Sequence, residues 1–275
     1  LEPMQQRNFN FSYMFQYNDI NIYEKGNRAY NTTYKYHLAE FGFSDVWYKN
    51  FRFGLGLRFE YYKYKDFLFK QPELIDLKVE SEHFLSYFAQ IHYKTYDKGY
   101  FPAKGSDFKA AYSLYTDNMA QYNEHAPFSA LSASWASVLP ITRRFSVIPS
   151  IYGRILIGRN FPYPLQNAIG GEVPGFYIPQ QLPFAGVNNI ELMDNAIMIA
   201  SLKFRQRMGA IHYLILTGNY GLTDSHFFKI LKGKQLFGIS AGYGMDSVFG
   251  PLEISLGYSN QADKASCFVN LGYYF

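Results

Sequence analysis

The chain has 275 residues with 26 Lys+Arg against 22 Asp+Glu, a formal net charge of +4, and no basic block of the kind that tracks a phosphate backbone, so nucleic acid is excluded as a partner. One cysteine, Cys267, excludes an intramolecular disulfide framework and a cysteine-based metal cluster. Charged residues are 17% and aromatics 20%, yet mean hydropathy is only −0.20, a balance that suits alternation between lipid-facing and water-facing residues better than an ordinary soluble globule.

Period 2 runs through the chain. Phe9, Phe11, Tyr13, Phe15 and Tyr17 alternate with Asn10, Ser12, Met14 and Gln16. A second strand starts at Tyr34, Tyr36 and Leu38 and reaches Phe43. FRFGLGLRFEY, residues 51–61, is the clearest case: Phe, Leu and Tyr on one face, Arg52, Gly54, Gly56, Arg58 and Glu60 on the other. A helix would spread these residues around its circumference, whereas a strand separates them. Strands follow at 85–94, 108–115 and 129–138, and at 145–157, where Pro149 removes a ladder donor and predicts a bulge or local break. Four more follow at 196–208, 211–220, 236–245 and 252–259, and a last one ends the chain at 267–275. The total is twelve. No apolar run approaches the roughly 18–20 residues of a transmembrane helix, so a membrane-crossing chain of this kind crosses as a barrel.

The connections alternate in length. Short turns are expected at 44–50, 139–143, 209–210 and 247–250, and longer loops at 19–28, 62–82, 116–127, 158–195 and 223–235. Short turns at one end and long loops at the other is the outer-membrane pattern. Soluble sandwiches and lipocalin-like barrels also alternate, but they place the bulky apolar face inward. Here the polar faces are small and charged, which suits a wet lumen. Arg52, Arg58, Glu60, Lys109, Arg154, Lys203, Arg205 and Glu253 share that expected interior. They form either a solvated, cross-paired wall or a lining that holds the long loop or contacts a translocating chain. Trp47, Tyr48, Tyr62 and Tyr64 are expected in interfacial girdles.

DKGYFPAKGSDFKAAY, residues 97–112, interrupts the alternation. Its order of Asp97, Phe101-Pro102 and Gly105 before a strand closely resembles the midway periplasmic turn of the BamA-like superfamily of outer-membrane assembly factors, two-partner secretion transporters and patatin-linked (type Vd) autotransporter barrels. IGGEVPGFYIPQQLPFAG, residues 169–186, resembles that family's sixth extracellular loop, through Gly170, Gly171, Val173, Gly175 and Phe176. The family tip carries an arginine that tucks into the lumen and pairs with an acidic wall residue. Pro174 stands there instead and cannot make that contact, a departure that favours the patatin-linked branch. NLGYYF at the end resembles the family's terminal assembly signal, with Asn270, Gly272, Tyr273 and Phe275.

The resemblance implies an antiparallel transmembrane β-barrel in the outer membrane of a Gram-negative bacterium, with residues 158–195 folded into or over the lumen. It implies a single barrel domain over 1–275 that translocates, inserts or anchors polypeptide without a cofactor. Implied partners are outer-membrane lipid and lipopolysaccharide, the barrel assembly machinery, and a passenger or client. The family barrel has sixteen strands, eight of them before the turn. Four are expected here, as in the C-terminal part of a longer protein. A passive pore or surface antigen is the alternative.

No catalytic role is expected, and any hydrolase activity would belong to a missing N-terminal patatin-like domain. The GISAG match at 238–242 lies inside an alternating strand, not in the strand–turn–helix of a nucleophile elbow. The six histidines are not spaced for a metal or an outer-membrane lipase triad.

Overall fold

The computed structural model describes residues 6–47, 50–69, 81–123, 126–175, 177–187 and 189–272. Its strands in chain order are β1 (Gln6–Glu24), β2 (Asn27–Trp47), β3 (Phe51–Phe69), β4 (Glu82–Lys94), β5 (Gly105–Thr116), β6 (Phe128–Pro140) and β7 (Phe145–Ile157). Three short strands lie within the long loop: β8 (Asn167–Ile169), β9 (Gln181–Leu182) and β10 (Leu192–Asp194). The wall resumes with β11 (Ala196–Arg207), β12 (His212–Asp224), β13 (Lys234–Ser247), β14 (Gly250–Ser259) and β15 (Ala265–Leu271). One antiparallel sheet of twelve strands runs in chain order from β1 through β7 and β11 to β15, and β8–β10 form a separate three-stranded sheet. The expected strand number and architecture are therefore the observed ones.

The outward rows are the apolar ones. On β1, Phe9, Phe11, Tyr13, Phe15 and Tyr17 are 50–76% exposed, and outward Leu, Ile and aromatic residues continue this belt on the other wall strands, for example Leu55, Ile151, Leu214, Ile239 and Leu256. A surface this apolar is stable against lipid rather than water.

Three local expectations change. Residues 19–28 are a tight hairpin rather than a long loop, because β1 and β2 continue to Glu24 and Asn27. Lys25 and Gly26 both have positive φ (48° and 71°), the signature of a two-residue turn matched to strand twist. β3 continues from Tyr62, its last residue laddered to β4, up to Phe69, a rise of roughly 23 Å. At Pro149 the β6 ladder lapses between the Ala136–Ser150 and Leu139–Val147 pairs with its register unchanged. The β11 ladder runs straight through the Leu202–Pro149 pair, so the result is a one-sided break and no bulge.

The lumen departs from expectation as well. Near the long loops it is a packed aromatic core, where Tyr34, Tyr62, Phe84 and Phe128 are at most 2% exposed. They pack with Leu165, Ala168, Ile178 and Ile190 of the long loop. Tyr62 and Tyr64 thus serve this core and not a girdle, because their strand parity points them inward and the loop brings apolar partners to them. The Trp47 side chain and Tyr48 lie outside the described residues.

Candidate functional site: the occluded lumen and the strand seam

The long loop is held by a few polar side chains. Arg154, on the inner face of β7, donates through Nη1 to the Leu165 carbonyl (2.7 Å) and to Asn167 Oδ1. Asn167, fully buried, donates in return to the carbonyls of Arg154 (2.9 Å) and Asn195 (2.8 Å). Gln181 shapes the tip: its Nε2 donates to the carbonyls of Gly170 and Val173, and its Oε1 accepts from the Tyr177 N–H (2.7 Å). Gly171 and Gly175 have φ of 61° and 69°, so the second glycine of the Gly-Gly start and the tip glycine sit where the backbone turns left-handed. Phe176 lies outside the described residues. With Pro174 at the tip, the loop's inward charge is a carboxylate. Burial pushes Glu172 above the usual carboxylate range, while the Lys203 ammonium and the Ser240 and Ser255 hydroxyls pull it back. The wall thus offers the loop a cation, Lys203, which is itself paired with Glu253.

The turn between β4 and β5 enters the lumen from the opposite end. Asp97 Oδ1 accepts from the N–H groups of Ala103 (2.8 Å) and Lys104 (3.4 Å), which closes the turn and accounts for an aspartate at its start. Gly105 has φ of 108°, and a Cβ there would lie 2.4 Å from the Thr95 carbonyl oxygen. Phe101 departs from expectation: Pro102 should bias it to extended geometry, yet its φ is +45°. Tertiary packing overrides the local bias, because its ring is buried and stacks on Tyr213 with centroids 4.4 Å apart. Gly244 makes room: a Cβ on it would lie 2.8 Å from that ring. Arg205 Nη2 donates to the Pro102 carbonyl, and Asn270 Nδ2 donates to the Tyr100 hydroxyl (2.7 Å). The turn therefore spans from β4–β5 to β11, β12, β13 and β15.

The remaining expected interior charges divide between pairs and a cavity. Arg58 meets Glu40 at 2.7 Å and Glu60 at 4.0 Å, and Lys203 meets Glu253 at 3.6 Å. Arg52 and Lys109 line a cavity of about 900 Å³ with the His92–Asp107 pair (2.9 Å), beneath Pro174 and Gln181. Sequence reading missed Asn167, Gln181 and Tyr100; one cue was available, since polar residues recur between the apolar residues of 165–182. Ser240, of the GISAG match, is buried mid-strand in β13 opposite Thr217, with no adjoining turn or helix.

The two ends of the sheet meet at the loop end, through the β1–β2 hairpin and the loop between β14 and β15. Lys264 Nζ, just before β15, donates to Asn27 Oδ1 (2.6 Å), and a Cβ on Gly26 would lie 2.3 Å from the Ala262 carbonyl oxygen. Ile190 of the long loop bridges to Ile22, and its carbonyl accepts from Tyr23 N–H (2.8 Å). Below this point, no ladder joins β1 to β15 among the described residues. From Arg7 to Tyr13, β1 is exposed on both faces. Gly272 N–H ties the end of β15 to the Pro251 carbonyl (2.9 Å), and Asn270 is buried; Tyr273 and Phe275 lie outside the described residues.

Glu191 adds a pH dependence to this closure. Its Oε2 accepts from the Gly26 N–H (3.2 Å). Burial pushes its carboxyl up to about 7, the Gly26 hydrogen bond and the Lys264 and Lys234 charges pull it down, and Glu24 pushes it up. A raised carboxyl favours the protonated folded state. Its stabilising effect is therefore complete below about pH 4.5, the ordinary carboxylate value, and is lost as pH rises through about 7. Protection factors at Gly26 and Tyr23, which remove the base-catalysed rise of intrinsic exchange, are expected to fall across that window in the native chain and to stay level in Glu191→Gln.

Solved structures share this architecture. BamA from Haemophilus ducreyi lacking POTRA domains 1-3 is similar with a TM-score of 0.69 at 12% identity, over 95% of this chain and 57% of that one. CdiB from Escherichia coli is similar with a TM-score of 0.60 at 13% identity, over 93% of this chain and 46% of that one. This chain thus spans about half the length of each. No curated protein sequence matches. The sequence profile of the OMP85 superfamily matches residues 4–275, nearly the whole chain, and the protein belongs to that superfamily.

Proposed function

We propose that the protein is an outer-membrane translocator or insertase barrel of a Gram-negative bacterium, with its short-turn end in the periplasm. It acts on polypeptide segments that form amphipathic β-strands. The observation that carries this reading is the seam: the β1–β2 hairpin and the loop before β15 are brought together at the loop end, while β1 has no ladder to β15 among the described residues and is exposed on both faces from Arg7 to Tyr13. An unladdered edge offers a row of backbone donors and acceptors to an incoming strand. Lipopolysaccharide and outer-membrane lipid would contact the outward belt, and the barrel assembly machinery would insert the chain itself. Pro174 at the loop tip favours the patatin-linked branch of the superfamily.

The test is a tether across the seam. Asn27→Cys and Lys264→Cys, in a Cys267→Ser background, place two thiols within reach of a short bis-maleimide linker with an internal disulfide, because Lys264 Nζ meets Asn27 Oδ1 at 2.6 Å. In proteoliposomes the linked protein is expected to stop accelerated folding of an unfolded barrel client into the bilayer, and reduction of the linker is expected to restore it. A tethered protein that works as well as the reduced one would sink the proposal and leave the passive pore reading standing.

A further inference from the structure

We infer that the segment Phe227–Lys232, between β12 and β13, is a membrane-surface anchor that docks into the bilayer beside the barrel and engages anionic lipid headgroups through Lys229 and Lys232. The segment is a short 3-10 turn of sequence FFKILK at the loop end. It does not fold over the lumen. Ile230, 4% exposed, packs on Ile155, Ala196 and Leu222, and strand parity makes these outward residues. On β7, Ile151 and Ile157 of the same row as Ile155 are 51% and 46% exposed, whereas Ile155 is 8% exposed because Ile230 covers it. Asn195 Nδ2 donates to the Ser225 carbonyl (3.2 Å), and Lys229 N–H and Gly233 N–H donate to the carbonyls of His226 and Ile230. The loop is thus folded down onto the outer wall, not free above it.

This placement leaves Phe228 93% and Leu231 80% exposed, pointing away from the wall. Both continue the apolar belt directly below, where Tyr220 and Phe237 pair on β12 and β13. Facing water, two such side chains would be costly; beside the belt they enter the same lipid. Lys229 and Lys232 are exposed and have no ion-pair partner among the described residues. An apolar pair with lysines at one depth is the arrangement of an interfacial segment: the rings sit at the acyl boundary and the ammonium groups at the phosphates. The chemistry selected is a phosphate-bearing lipid headgroup of the bilayer leaflet.

The experiment uses spin-labelled single-cysteine variants in a Cys267→Ser background, in phosphatidylcholine vesicles with and without phosphatidylglycerol. Phe228→Cys is compared with Ile239→Cys on the belt and Gln121→Cys in an exposed loop. Collision with a water-soluble nickel chelate is expected to be several-fold lower at 228 than at 121, and close to that at 239. The Lys229→Gln/Lys232→Gln pair is expected to reduce the preference for spin-labelled phosphatidylglycerol over phosphatidylcholine by roughly tenfold. An aqueous label at 228 beside a lipid-facing label at 239 overturns the anchor. Aqueous labels at both positions overturn the membrane span and the anchor together. A lipid-facing label at 228 with unchanged lipid preference in the glutamine pair overturns the headgroup contact.

Discussion

Arg154→Met is expected to release the long loop from the barrel wall. Arg154 supplies donors to the Leu165 carbonyl and to Asn167 Oδ1, both buried. Hydrogen bonds from a charged donor contribute about 1.5–3 kcal/mol each, and their acceptors stay desolvated when the donor goes. The loss is therefore about 3–5 kcal/mol of loop docking, enough to raise the undocked fraction roughly a hundred-fold or more. Methionine keeps most of the side-chain volume, so the change isolates the hydrogen bonds from packing. The wall itself should survive, because its ladders do not pass through the loop. Two readouts follow. Proteolysis within residues 158–195 should accelerate while an unheated gel still shows a folded barrel. Conductance in planar bilayers should rise, because the loop roofs the cavity lined by Arg52 and Lys109. A variant that stays closed and protease-resistant would show that the apolar contacts of Leu165, Ile178 and Ile190 hold the loop without help.

Phe101→Ala should cost about 3 kcal/mol, the low end for a buried phenylalanine, since the site adjoins water-accessible space. The effect should spread. Phe101 anchors the turn on Tyr213, and the neighbouring Tyr100 accepts from Asn270 on β15. Removing the ring is expected to raise amide exchange in the turn and also at Asn270 and Leu271, on a strand 170 residues away in sequence. Gly244→Val should do the same from the other side, because even a Cβ there would lie 2.8 Å from the Phe101 ring. Faster exchange confined to 97–105 would show that the turn plugs the lumen without bracing the last strand.

The alternation of FRFGLGLRFEY and its counterparts was enough to specify strand number and order and which rows face outward, because side-chain period acts strand by strand. The Asp, Phe-Pro, Gly order of the turn was legible for a related reason: Asp97 and Gly105 satisfy needs within the turn itself. The tall hairpins escaped detection. Asp19 to Arg28 reads as a polar loop, and only packing of Ile20, Ile22 and Tyr30 against the long loop explains why the strands continue.

What residues 6–272 determine alone is therefore a wall: period 2, an apolar exterior, short turns and long loops. What only the tertiary structure decided is how the wall is filled. Phe101 takes a left-handed backbone against the bias of Pro102 because Tyr213 and Gly244 receive its ring from across the lumen. Arg154 and Arg205 become brackets for a loop and a turn, while Lys203 pairs with Glu253, though all three look like equivalent lining charges in sequence. The physical reason is range. Strand alternation is set by neighbours two residues apart, whereas each of these partners lies on another strand or loop, and only the curvature of the sheet brings them within hydrogen-bonding distance.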